Sequence, residues 1–147
     1  MANNSNLKIF LVDDDIFCLT LYKQFLNKLG YTAIQSFTSG DEALESLSER
    51  PDIAFLDYNM EGLNGIDVLK KIKEFDPNIL VYLISGQANP AIAAISHQEG
   101  AVDYIIKSSI DPVKIKGLMD KAKEQVPMVD RTVKKSFIQK LKDGLGM

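Results

Sequence analysis

The sequence holds one histidine, His97, one cysteine, Cys18, and no tryptophan. A lone cysteine cannot form an internal disulfide, so the fold rests on its core and suits a reducing compartment. A lone histidine excludes a multi-histidine metal site and a Cys/His zinc cluster. Long apolar runs are missing too. The longest, Ile79-Leu80-Val81-Tyr82-Leu83-Ile84, is six residues, against ~20 for a membrane helix. The N-terminal stretch MANNSNLK and the acidic interruption Asp13-Asp14-Asp15 leave no signal-peptide pattern. A cytoplasmic location without membrane contact is the expectation.

What is present reads as a globular domain. Of 147 residues, 46% are hydrophobic and 25% charged, near the average for folded domains. The net charge of −3 is unevenly spread: residues 1–130 hold 12 basic and 19 acidic side chains, residues 131–147 five basic and one acidic. An acidic body argues against broad nucleic-acid binding. Pro127 marks a break, which divides the chain into a domain at 1–126 and an extension at 127–147.

Short apolar runs at Ile9–Val12, Thr32–Gln35, Ile53–Leu56, Ile79–Ile84 and Ala101–Ile106 alternate with helical spacing, such as Leu19, Tyr22, Leu26 and Leu29. Capping residues stand where helices should begin: Ser39 with Glu42, Asn64, Asn89-Pro90 and Asp111-Pro112. Gly30 and Gly100 stand where helices should stop. Several of the strand runs are apolar throughout rather than alternating, as expected for strands covered on both faces of a parallel sheet. Five strand–helix repeats imply a doubly wound α/β sandwich.

Open α/β sheets bind ligands at the carboxyl ends of their strands. The first strand ends in Asp13, Asp14 and Asp15, the third in Asp57, the fourth in Ser85-Gly86, the fifth in Lys107. Asp15 is expected to cap the first helix. If these strands are neighbours, two or three carboxylates converge with a hydroxyl and an ammonium. Carboxylates ~4 Å apart repel by roughly 4 kcal/mol at an effective dielectric of ~20, so a cation should bind, and an all-oxygen donor set favours Mg2+. Lys107 and Ser85 remain to hold an anion. A divalent metal, an anion-binding lysine and a nucleophilic aspartate together describe phosphoryl transfer to a carboxylate.

The ordered set Leu11-Val12-Asp13-Asp14-Asp15, Phe55-Leu56-Asp57-Tyr58-Asn59-Met60, Gly62-Leu63-Asn64-Gly65, Ser85-Gly86, Gly100-Ala101-Val102-Asp103-Tyr104 and Ile105-Ile106-Lys107 resembles the receiver domain of bacterial two-component response regulators over residues 7–125. The resemblance implies a flavodoxin-like fold: a five-stranded parallel sheet in order 2-1-3-4-5 with five helices, to which the tail would add a sixth. It implies that Asp57 accepts a phosphoryl group from a phosphohistidine on a sensor histidine kinase or a histidine phosphotransfer protein. Asp14 and Asp57 would bind Mg2+ with the backbone carbonyl of Asn59, and Asp13 would assist through water. Ser85 would hydrogen-bond the phosphoryl group, Lys107 would pair with it mainly after transfer, and Tyr104 would be the aromatic switch.

Three departures from the family pattern stand out. Glu61 and Ser108 occupy positions that usually carry proline, and Ser85 replaces threonine. With Ser108 in place of proline, a cis bond after Lys107 would cost ~3–4 kcal/mol instead of ~1, so a trans bond and a looser Lys107 are expected.

His97 reads as a surface residue and Cys18 as core filler. The tail carries Val133, Phe137, Ile138, Leu141 and Leu145 at helical spacing beside its basic residues. It reads as a helix packed on the domain or solvated beyond it, with a dimerisation or linker helix as the next reading. Seventeen residues are too few for a helix-turn-helix, so no DNA-binding output module is expected. The favoured reading is a non-enzymatic signalling switch that changes its protein contacts, with phosphorylation-dependent dimerisation among the outcomes and self-catalysed phosphotransfer and dephosphorylation at most. Its rivals are a fragment of a longer transcriptional regulator, an aspartate-based Mg2+-dependent phosphatase and an FMN carrier. Asn59 stands where such a phosphatase commonly places its second acid, and the acid cluster would repel FMN.

Overall fold

The computed structural model describes residues 7–126. The sixth helix expected beyond Pro127 lies outside the described residues. Five parallel strands, β1 (Ile9–Val12), β2 (Ile34–Phe37), β3 (Ile53–Asp57), β4 (Leu80–Ser85) and β5 (Asp103–Ile106), form one sheet in the order β2-β1-β3-β4-β5. Helices α1 (Ile16–Lys28) and α5 (Pro112–Gln125) cover one face; α2 (Gly40–Glu45), α3 (Gly65–Phe75) and α4 (Pro90–Gln98) cover the other.

The apolar runs explain this layering. Every residue of β1 and β3 is buried, and side chains alternate between two cores. Phe10, Val12, Ala54 and Leu56 face α2, α3 and α4, whereas Ile9, Leu11, Ile53 and Phe55 face α1 and α5. Tyr82 stacks on Phe55 at 5.2 Å and donates its hydroxyl to the Leu118 carbonyl at 3.0 Å, fastening α5 to the sheet.

Helix starts follow the capping residues. Asp15 accepts from the Phe17 amide, Asn89 from Ala91 and Ile92, and Asp111 from Lys114. At α3 the box is closed in both directions, Asn64 accepting from Asp67 N and Asp67 from Asn64 N. Gly30 and Gly100 adopt φ of 97° and 101°, which ends α1 and α4.

Four of the five strands differ in their bounds from the sequence reading, β3 and β4 by one residue and β2 and β5 by two. β2 begins at Ile34 rather than Thr32 and runs on to Phe37, because its register is set by pairing with β1 from Ile9↔Ile34 to Val12↔Phe37. Phe37 also meets Phe10 edge-on at 4.7 Å. β5 is shorter than the apolar run, since the Ala101 amide donates to Ser96 O at the end of α4.

Gly65 opens α3 against the end of β3. A Cβ there would stand 2.8 Å from the Asp57 carbonyl oxygen, 2.9 Å from Tyr58 Cα and 2.6 Å from Leu83 Cδ1. Two of those atoms are backbone and cannot swing away. Gly65→Ala is therefore expected to destabilise the fold by ~1–3 kcal/mol through overpacking, although alanine is the better helix former. Urea denaturation measures this, and an unchanged or higher midpoint would refute the close-approach argument.

Candidate functional site

Strand order and register build the site. Val12 pairs with Leu56, Asp57 with Ile84, and Ser85 with Ile106. The strands thus end side by side, and Asp13, Asp57, Ser85 and Lys107 emerge at one edge of the sheet. Asp13 is 2% exposed, Asp57 3% and Ser85 4%, values low enough that their polar groups depend on protein partners. Asp14, one residue past Asp13, is exposed.

Lys107 supplies the main compensation. Its Nζ lies 3.0 Å from Asp13 Oδ2 and 3.6 Å from Asp57 Oδ2. The sequence reading expected this lysine to engage mainly after phosphorylation, whereas the ammonium already balances two buried carboxylates. Burial would lower its pKa, but the Asp13 and Asp57 carboxylates outweigh that and hold it above the ordinary lysine value. The Lys107–Ser108 bond is trans, and Ser109 Oγ donates to Ile106 O at 2.7 Å, closing a short 3-10 turn at Lys107–Ser109. Lys107 reaches both carboxylates without the proline.

Asp57 is pushed up to about 6, first by burial and next by the Asp13 carboxylate, against the lowering effects of Lys107 and the Asn59 amide. One ammonium does not neutralise three carboxylates. Asp13, Asp14 and Asp57 each offer an oxygen, all within 4.8 Å of one another. Asp13 Oδ1 accepts the Asp15 amide at 2.8 Å. Its Oδ2 is buried and accepts no well-aligned hydrogen bond, having only the ionic contact with Lys107. Clustered hard oxygens with an orphaned lone pair suit a small divalent cation such as Mg2+.

Ser85 Oγ accepts a long bond from the Gln87 amide, 3.4 Å. Tyr104 is half-buried against the core on the α4 side, and its hydroxyl donates to Gln87 O at 2.5 Å. The β4–α4 loop is thus tied both to Ser85 and to β5. Sequence reasoning missed Gln87, because a backbone carbonyl leaves no mark in residue type; its place two residues past Ser85 was the available hint.

Asp15 is the α1 cap that the sequence suggested. Glu61 is exposed in the β3–α3 loop, and His97 is exposed on α4. Cys18 is only half-buried; it packs on the α1/α5 core with its Sγ 3.5 Å from Asp15 Oδ2, and burial followed by the Asp13 charge pushes its thiol pKa up.

Known proteins share this arrangement. The family model described as "Response regulator receiver domain" matches residues 9–120. The chemotaxis protein CheY of Thermotoga maritima is 35% identical over 101 residues, covering 68% of this chain and 84% of that protein. Sporulation initiation phosphotransferase F of Bacillus subtilis is 32% identical over 124 residues, 84% of this chain and 96% of that protein. Among solved structures, a CheY-like receiver domain protein from Methanospirillum hungatei superposes with a TM-score of 0.74 at 27% identity, covering 82% of this chain and 97% of that one. CheY in a CheX-CheY-BeF3-Mg complex from Borrelia burgdorferi gives 0.70 at 28% identity, covering 76% and 84%.

Fold and strand-end cluster together define a phosphoacceptor switch of the two-component type. The chain belongs to the response regulator receiver domain family. That family is one of signalling switches, and its acidic pocket is where receiver domains bind Mg2+. No helix among the described residues is long and apolar enough to cross a membrane.

Proposed function

We propose that Asp57 is the phosphoacceptor and that this chain is a cytoplasmic switch charged by a histidine kinase or a histidine phosphotransfer protein. The observation that carries the reading is the buried Asp57 carboxylate, flanked by Asp13 and held 3.6 Å from the Lys107 ammonium. In the reaction an Asp57 oxygen forms a bond to phosphorus while the phosphorus–nitrogen bond of the phosphohistidine breaks. The bonding pair leaves with the imidazole nitrogen. Asp13, Asp14 and Asp57, with the Asn59 carbonyl, would hold Mg2+, whose charge would neutralise the cluster and the incoming phosphoryl oxygens.

After transfer, Lys107 exchanges part of its carboxylate pairing for the phosphoryl oxygens, and the Ser85 hydroxyl donates to the same group. Ser85 and Tyr104 are both joined to the loop residue Gln87, so movement of Ser85 is passed to the aromatic ring. A phosphoryl group adds up to about two charges and three acceptors, enough to supply the roughly 1–3 kcal/mol typical of coupled sites. The changed surface then selects a downstream protein partner, or a second copy of the chain. Residues 1–126 form the receiver unit and 127–147 an extension of it. The CheX-CheY-BeF3-Mg complex among the similar structures supports a protein as a partner.

Lys107→Ala tests the division of labour. The variant is expected to take label on Asp57 from acetyl phosphate while losing most of the amide NMR shifts over residues 85–107 that phosphorylation produces. Full shifts without the ammonium would assign the switching to Ser85 alone and refute the role given to Lys107.

A further inference from the structure

The reach of Lys107 depends on backbone that lies outside the sheet. Pairing of β5 with β4 ends at Ser85↔Ile106, so Lys107 is the first residue past the strand. Its side chain is a flexible four-carbon stem, yet its Nζ meets Asp13 Oδ2 at 3.0 Å and Asp57 Oδ2 at 3.6 Å together. One backbone position therefore serves two contacts, and the 3-10 turn Lys107–Ser109 sets it. The Ile110 amide donates to Lys107 O at 3.2 Å, and the Ser109 hydroxyl donates to Ile106 O at 2.7 Å.

We propose that Ser109 is a positioning residue: by holding the Ile106 carbonyl, its hydroxyl keeps the turn closed and aims Lys107 at Asp13 and Asp57. The two ends of the segment are fixed without it. Ile105 is buried and Ile110 packs against the α1/α5 core, while Asp111 caps α5 ahead of Pro112. Between these anchors Ser108 and Ser109 are exposed, so the core does not hold the middle of the turn. Short 3-10 turns have poor hydrogen-bond geometry of their own. A serine hydroxyl returning to the carbonyl three residues back offers the backbone another partner, and here that bond is shorter than the one from the Ile110 amide.

A proline at 108 would not supply the same restraint. The residue before a proline is pushed out of the helical region, whereas Lys107 opens a helical turn. The Ser109 hydroxyl is the restraint compatible with this turn. Its role rests on Asp57 being the acceptor, because the place of the lysine counts only where an anion arrives beside that carboxylate. Such an anion finds its counter-charge ready for the fraction of time that the turn is closed, and apparent affinity falls in proportion to that fraction.

Beryllofluoride with Mg2+, a phosphoryl mimic, is the probe, titrated while the amides of residues 85–107 are followed by NMR. Ser109→Ala is expected to weaken its binding about two- to fivefold, the equivalent of one modest hydrogen bond. Ser109→Thr keeps the hydroxyl and is expected to bind as the unaltered chain does. In a Lys107→Ala background, Ser109→Ala should have no further effect, since its action passes through the ammonium. Unmoved amides of Phe10, Phe55 and Val81 show the fold intact. Unchanged affinity in Ser109→Ala would overturn the proposal. So would an equal loss with and without Lys107, which marks a general loosening of the loop, or a loss that threonine does not repair. Failure of the phosphoacceptor reading looks different: beryllofluoride would leave the amides of the unaltered chain in place, and both readings would fall.

Discussion

Asp57→Asn protein incubated with Mg2+ and radiolabelled acetyl phosphate is expected to take no label above background, while the unaltered chain is labelled at one site. An amide oxygen is a poor nucleophile, and the other carboxylates are differently placed. Asp13 is engaged by the Asp15 amide and Lys107, and Asp15 is committed to capping α1. Equal labelling of the variant would remove Asp57 from its role.

The same substitution has a second, opposite consequence. The folded-state pKa of Asp57 is raised from 3.8 to about 6, so ionised Asp57 costs stability. The group's favourable contribution is complete below pH ~4 and is lost as pH rises through ~6. In metal-free buffer, Asp57→Asn should match the unaltered chain near pH 4 and be more stable at pH 7.5. At ~1.4 kcal/mol per pKa unit, the gain is on the order of 3 kcal/mol. Thermal unfolding at the two pH values measures it, and a variant less stable at pH 7.5 would refute the burial argument.

Removing the divalent cation is the other change with a large expected effect. Excess EDTA should reduce labelling of the unaltered chain to near background, because an incoming phosphoryl group would meet three carboxylates and only one ammonium. Asp14→Ala removes the exposed member of the cluster, so the fold should tolerate it. Its Mg2+ affinity should fall by at least about tenfold, equivalent to ~1.4 kcal/mol, with phosphorylation slowed at limiting Mg2+. Titration of Mg2+ against labelling rate measures both. Undiminished phosphorylation in EDTA would refute the metal requirement.

Much of this site could be read from the sequence because of where it lies. Residues at strand ends are fixed by the apolar runs before them, so Asp13, Asp57, Ser85 and Lys107 could be placed at one edge once the strands were recognised. Strand order came from the family resemblance. The start of β2 was misplaced because an edge strand is positioned by its neighbour, and pairing with β1 outweighed the local pattern at Thr32–Gln35. The standing ion pairs of Lys107 were missed because burial of two carboxylates is a tertiary property. Gly65 could be quoted as a motif residue, but its reason, the backbone of Asp57 and Tyr58 pressed against it, required the packing of α3 on β3.

The ends of β1, β3, β4 and β5 contribute one group or more apiece to the pocket, and the last of them, Lys107, follows β5. No local segment contains even a reduced version of the site. During synthesis Asp13 and Asp57 leave the ribosome well before their counter-ion, and they repel until β5 takes its place beside β4. A partly formed sheet therefore lacks the ammonium that compensates the buried pair, and the pocket is electrostatically complete only with β5 in place. A ligand of the finished pocket likewise stabilises the whole sheet against global unfolding rather than one loop against local opening.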